Sequence, residues 1–347
     1  MRRAAAFALP ALLLAGCAAA SQAPAQTDAL TIENRYPLEY AKQFTVDVCA
    51  GGYDLITIDG SRYLVVPEGA AAPANLDADI TVLQQPIQNI YLVSSSAMDP
   101  IISIGGLGAV ALSGTQAENW YLDAARTAME QGEIAYAGKY SAPDYETILS
   151  ADCGLAIENT MIYHTPEVKE QLEKFGVPVL VERSSYESDP LARMEWVKLY
   201  GILLGRTEEA KRVFDDAVQR IAPLLDEEPT GKTAAFFSIT SNNLATVRKG
   251  GDYVAKMIGL AGGSYVFADL TDSGTIWRLS ISRSRISTPG RVTPMCCSTT
   301  ARLRASCAQW MSCSPNVRCW RTSRPCKAAA SGVRRRAFSS RAWSCRS

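Results

Sequence analysis

Between Phe44 and Pro67 the chain alternates apolar and polar positions, "FTVDVCAGGYDLITIDGSRYLVVP", with breaks at Gly51-Gly52 and Asp59-Gly60. A period of two interrupted by glycine pairs and Asp-Gly predicts a small antiparallel sheet with tight turns. Beyond about residue 87 the pattern changes: short, nearly continuous apolar runs alternate with stretches of helical period. "IQNIYLVSS" is a strand and "NWYLDAARTAMEQG" a helix; "IAYAG" is a strand and "PDYETILSA" a helix; "GLAIEN" is a strand, "TPEVKEQLEKFG" a helix and "VPVLVER" a strand. Strands without polar alternation are covered on both faces, so this succession predicts a parallel sheet flanked by helices. Thr165-Pro166 and Asp189-Pro190 each place a capping side chain before a proline at the first helical position.

From Asp189 to Leu225 apolar positions recur every three or four residues, with a candidate break at Gly205-Arg206-Thr207. A strand, "TAAFFSIT", and a helix, "DYVAKMIGLAGG", follow. The predicted fold class is α/β: two parallel-sheet lobes joined by a long backbone helix, the second lobe incomplete, with a small antiparallel β element near the N-terminus. The segments divide as 18–30 tether, 31–75 β extension, 76–188 first lobe, 189–226 backbone helix, 227–275 start of a second lobe and 276–347 tail.

The start changes the picture. Two arginines, an apolar run from Ala4 to Ala15 and small residues around Cys17 make a secretory signal at 1–17, too short for a membrane span. Leu14-Ala15-Gly16-Cys17 resembles a bacterial lipobox, which implies lipidation of Cys17 and stable anchoring to the outside of the cell membrane. Charge changes it again. All 35 acidic residues lie at or before Asp272, whereas 276–347 hold 15 Lys and Arg, no acid and seven of the ten cysteines. The tail cysteines, beginning with Cys296-Cys297, lack the paired spacing of a zinc module, and no periodicity presents the arginines to a nucleic acid. No nucleic-acid partner is expected.

The order of elements, with "NIYLVSSSAMDPIISIG" as a first strand and loop, "YAGKYSAPDYETILSADCGLAI", "FGVPVLVERSSYESDPLARMEWVKLYGILLG" and "ATVRKGGDYVAKMIGLAGG", resembles the helical-backbone binding proteins that deliver iron–siderophore, haem or cobalamin to ABC importers. The resemblance covers about residues 90–275. It implies two lobes with ligand held between them, and as partners an ABC permease with its ATPase and a metal-chelate ligand. It implies no catalysis and no cofactor. Glu146 matches the family's surface glutamate that docks on permease arginines. Near Thr275 the pattern stops. Methionine is ATG and cysteine TGC or TGT, so one frame over Met295-Cys296-Cys297 must read valine, then leucine. The codons that follow permit a strand and turn of the kind a second lobe needs. The tail is therefore read as a frameshifted translation.

Loops at the carboxyl ends of parallel strands line ligand sites. By that rule the candidates are Ser94, Ser95 and Ser96, then Lys139 and Tyr140, Asn159 and Thr160, and Arg183, Ser184 and Tyr186, with Arg248 and Lys249 from the second lobe. Cationic and hydroxyl groups suit an anionic iron chelate. The only histidine, His164, cannot by itself supply the shell of a bare transition metal, and it reads as solvated beside Thr165. Cys49 and Cys153 read equally as a disulfide or as separate buried thiols. "GGLGA" at 105–109 precedes a strand-like run and so is no dinucleotide fingerprint. The other function kept open is a surface lipoprotein with an adhesive or degradative role.

Overall fold

In the computed structural model, residues 30–239, 244–270 and 277–280 are described. The signal, Cys17, the tether before Leu30 and nearly all of the tail lie outside the described residues.

The alternating N-terminal stretch forms a five-stranded sheet in simple order. Strands β1 (Ile32–Arg35), β2 (Phe44–Cys49), β3 (Tyr53–Ile58) and β4 (Ser61–Val66) run antiparallel, and β5 (Ile80–Gln84) adds parallel to β4. This sheet extends past residue 75, because the loop 67–79 returns the chain to its own edge. Its alternation buries one face, with Phe44, Val46, Ile56, Ile58, Tyr63 and Val65, against the next unit. The other face makes a smaller core around Cys49, Leu55 and Leu64.

The next unit is a parallel sheet of β6 (Ile90–Leu92), β7 (Val110–Ser113), β8 (Ala135–Tyr136), β11 (Ala156–Asn159) and β12 (Val179–Glu182), in the spatial order β12-β11-β6-β7-β8. Between β8 and β11 lies a two-residue ladder of β9 (Gly138–Lys139) with β10 (Ala142–Pro143). It closes tightly enough that a Cβ on Gly138, at φ 83°, would sit 2.3 Å from the carbonyl oxygen of Ala142, so only glycine fits. Helices α1 (Ser95–Ser103) and α2 (Asp123–Glu130) join the core shared with the N-terminal sheet, and α3 (Tyr145–Ser150) and α4 (Pro166–Lys174) join the core on the opposite face. The predicted "IAYAG" strand is only two residues long, and the segment read as a loop after β6 is mostly helix. Ala97, Met98 and Ile101 of α1 are fully buried, and that burial outweighs the unfavourable Pro100 inside the helix. Pro166 takes the first helical position of α4 as expected, but the hydroxyl of Thr165 is buried with no hydrogen-bond partner among the described residues, so it does not cap. Asp189 does cap, accepting from Leu191 N at 2.9 Å.

The backbone helix expected over 189–226 divides at its candidate break into α5 (Pro190–Leu203) and α6 (Thr207–Leu225), separated where Gly205 adopts φ 65°. They pack closely, since a Cβ on Gly201 would lie 2.5 Å from that of Ala210. Beyond them, β13 (Thr233–Ala234) and β16 (Ser264–Tyr265) form a parallel pair, and α7 (Tyr253–Leu260) packs on it. Strands β14 (Phe237–Ile239), β15 (Leu244–Val247) and β17 (Trp277–Ser280) form an antiparallel sheet. The second lobe thus begins with mixed pairing, and four residues beyond 275 pair with β15. Cys49 and Cys153 are separate buried thiols.

Candidate functional site

Strand order in the parallel sheet reverses between β6 and β11. The chain leaves β6 toward β7 and β8 on one side and β11 toward β12 on the other, and the helices after β6 and β11 pack on opposite faces, the arrangement at which open α/β sheets place a crevice beyond the carboxyl ends of their strands. Ser95, exposed at the start of α1, stands on one side of this opening. Asn159 stands on the other, half-buried, with its side-chain oxygen accepting from Met161 N at 2.9 Å.

The floor is built by a residue absent from the candidates. Glu182, the last residue of β12, accepts from the hydroxyls of Ser94 at 2.9 Å and Ser96 at 2.8 Å and from Ser184 N at 2.7 Å. It reaches past β11 and ties the loops after β6 and β12 together. Ser94 is 2% exposed and its hydroxyl is committed to this bridge, so it supports the crevice instead of facing into it. The buried hydroxyl of Tyr200 lies near Glu182 and has no partner among the described residues. Burial, reinforced by the Glu182 charge, drives its pKa far up.

Arg183 also departs from expectation. Its guanidinium pairs with Asp59 in the turn between β3 and β4, its Nε donates to Gln43 Oε1 at 3.4 Å, and it lies 4.5 Å from the centre of the Tyr186 ring. It is an arginine paired within the fold, by a carboxylate of the N-terminal sheet. Arg248 is more open: its side chain is half-exposed, with Nη1 3.4 Å from Asp252 Oδ2. Of the predicted cations, Lys139 is exposed on the β9–β10 ladder, while the neighbouring Tyr140 packs against the core on the α4 side. Glu146 is exposed in the first turn of α3. His164 is exposed at the end of a 3₁₀ turn. Among the described residues no group of three or more His, Cys, Asp or Glu side chains is placed to hold a metal ion.

The loops after these strands also carry exposed apolar side chains, of which only Tyr186 was among the candidates drawn from the sequence. Tyr136 ends β8, Met161 and Tyr163 follow β11, and Tyr186 follows β12. Each is 43–55% exposed in a molecule that buries Trp196, Tyr91 and Tyr200 almost completely. Aromatic faces displayed around a crevice are a surface for stacking and apolar contact. Behind the crevice Glu158, one residue before Asn159, is fully buried with neither carboxylate oxygen hydrogen-bonded among the described residues, and burial pushes its pKa up to about 8. Hydroxyls, an amide, ring faces and paired arginines thus lie at and after the carboxyl ends of these strands.

No protein-family model matches the chain. An uncharacterised lipoprotein of Methanocaldococcus jannaschii is 22% identical over 236 residues, 63% of this chain and 56% of that protein. The chain thus spans about half the length of the curated relative it matches. Among solved structures, a periplasmic haem-binding protein of Vibrio cholerae superimposes with a TM-score of 0.52 at 15% identity, over 67% of this chain and 89% of that one. A periplasmic haem-binding protein of Pseudomonas aeruginosa gives 0.47 at 20% identity over 66% and 78%, and a periplasmic vitamin B12-binding protein of V. cholerae gives 0.45 at 14% over 67% and 84%. The V. cholerae haem-binding likeness shows the fold, an α/β periplasmic-binding architecture with a helical spine.

Proposed function

We propose that this chain is the solute-binding component of an ABC importer, capturing an iron chelate or a related large metal complex outside the cell and presenting it to a permease. The observation that carries the reading is the reversal of strand order between β6 and β11, with Ser95 and Asn159 at its mouth and Met161, Tyr163 and Tyr186 exposed around it. Such a site works by binding alone. Ligand bridges two lobes, and a partner reads the assembled surface. The two lobes meet here through α5 and α7: Arg193 lies 4.0 Å from the Tyr253 ring centre, and Lys256 Nζ lies 3.6 Å from Asp189 Oδ2. Glu146, exposed on α3, is the residue offered to the permease. Lipidation at Cys17 would hold the protein at the membrane, and a frameshift after about residue 275 would replace the rest of the second lobe.

Thermal shift measurements with haemin, cyanocobalamin and a panel of ferric siderophores test the function. Ligand that binds the folded form alone raises the melting temperature in proportion to the logarithm of its concentration above Kd. One ligand doing so supports the reading, and no shift with any of them up to millimolar concentration, in this chain and in a frame-restored one alike, refutes it.

A further inference from the structure

We propose that the N-terminal sheet sets the charge preference of the crevice: Asp59, held over Arg183, is a built-in counter-ion that a polyanionic ligand must displace and a weakly charged ligand need not. The inference rests on the binding function proposed above and adds to it a specificity-determining residue from outside the two lobes.

Turn chemistry puts the carboxylate there. Asp59 and Gly60 are the two central residues of the β3–β4 hairpin, with Ile58 paired to Ser61, and both have positive φ, 50° and 83°. That is the geometry of a type I′ turn, which twists with its strands and favours Asp or Asn followed by Gly. The side chain at its tip points from the N-terminal sheet to the carboxyl end of β12, where Arg183 is 15% exposed and Asp59 49%.

The sheet carrying the turn is clamped. Glu195 of α5 accepts from the backbone N–H groups of Glu39, Tyr40 and Ala41 at 2.7–2.8 Å, and Glu187 accepts from those of Lys42 and Gln43 at 2.8–2.9 Å and from Trp196 Nε1 at 3.2 Å. Tyr63 on β4 donates its hydroxyl to Val179 O of β12 at 3.0 Å. Five successive amides on two buried carboxylates fix the β1–β2 connection, and Gln43 at its end touches Arg183 as well. The counter-ion is therefore fixed in place, while solvent still reaches its carboxylate.

A planar guanidinium held by a carboxylate on one edge and a ring on its face offers little to a second anion. With Arg183 so held, the carboxyl end of β12 presents the Tyr186 ring face more than an open positive charge. That set suits a chelate of low net charge with an extended apolar face.

The experiment uses the full chain, Asp59→Asn, Arg183→Gln and the double variant. Asparagine keeps the left-handed turn and removes the charge. Phenylglyoxal modification of Arg183, followed by peptide mass mapping, reads the pair without any ligand. Tryptophan fluorescence titration with ferric citrate and with cyanocobalamin reads the preference. We expect Arg183 to be modified several-fold faster in Asp59→Asn. We also expect ferric citrate to bind about tenfold more tightly there, as a charged group freed of its partner takes a new one, with cyanocobalamin unchanged within about twofold. The gain should vanish on the Arg183→Gln background. Equal modification rates overturn the proposal. Binding of both ligands with an unchanged preference overturns the counter-ion role and leaves the binding function standing. Faster modification with no ligand bound by any form overturns the binding function, and the specificity role with it.

Discussion

Glu158→Gln should make the protein more stable at pH 8 and nearly neutral in effect at pH 5. In the fold the Glu158 carboxyl is fully buried without hydrogen bonds to either oxygen among the described residues, so its neutral form is favoured and its pKa rises from 4.5 to about 8. A carboxyl with a raised folded pKa gives stability that is complete below the unfolded value and is lost as pH climbs toward the folded one. Between about pH 4.5 and 8 the native state holds a proton that the unfolded chain releases, and each pH unit removes about 1.4 kcal/mol. The whole window amounts to about 4–5 kcal/mol, a large share of a domain's stability. Asp54 is also raised by burial, to about 6, and acts with the same sign at lower pH. The contrast between wild type and variant is therefore cleanest from pH 6.5 to 8. Urea midpoints at half-unit steps would show wild type losing stability steadily over that range and Glu158→Gln staying flat. Parallel profiles would mean that Glu158 is ionised in the fold and that the reasoning about its burial is wrong.

Glu195→Ala should cost about 3 kcal/mol in urea unfolding, because it takes from Lys198, 5% exposed, its partner at 2.7 Å, leaves it only Glu39 at 3.8 Å and the Phe214 ring, and frees three amides; a change below about 1 kcal/mol would show that the clamp does not hold the sheet. Cys17→Ser should move the protein from the membrane to the soluble fraction of labelled cells, and an unchanged membrane fraction would contradict the lipobox reading. Sequencing the coding DNA around codon 275 and restoring the frame should yield a chain that binds its ligand at least about tenfold more tightly than the 347-residue product, since binding across two walls gathers contacts that one wall lacks; equal affinity would show that the first lobe suffices.

Where the local pattern had one physical solution, the sequence was legible. Alternation between Phe44 and Val66 with Asp59-Gly60 could only be a hairpin register, and the apolar runs ending at Leu92, Asn159 and Glu182 could only be buried parallel strands. The helix α1 was hidden because "SSAMDPIIS" is rich in serine and interrupted by proline, so its helical character comes from packing Met98 and Ile101 into the core. The break between α5 and α6 was marked by Gly205, but the reason the two helices fold onto each other is the missing side chain at Gly201, which only a partner helix makes meaningful. At the site, the rule of strand ends placed Arg183 just beyond β12, where the structure has it, and gave no sign of its partner. Its counter-ion lies 124 residues away in a different sheet, and no local pattern carries that information. Glu182 was overlooked for a similar reason: a charge at the end of an apolar strand reads as a strand terminus until Ser94 and Ser96 are seen to converge on it.

The most direct test of the account is to locate bound ligand on the chain by hydrogen exchange. With a ligand identified by thermal shift, protection should rise at 94–98, 159–164 and 183–187, the segments that border the reversal between β6 and β11, and stay unchanged in the loop 67–79 on the far side of the N-terminal sheet. Protection confined to other segments, with those three unaffected, would contradict the claim that this crevice is where the protein binds.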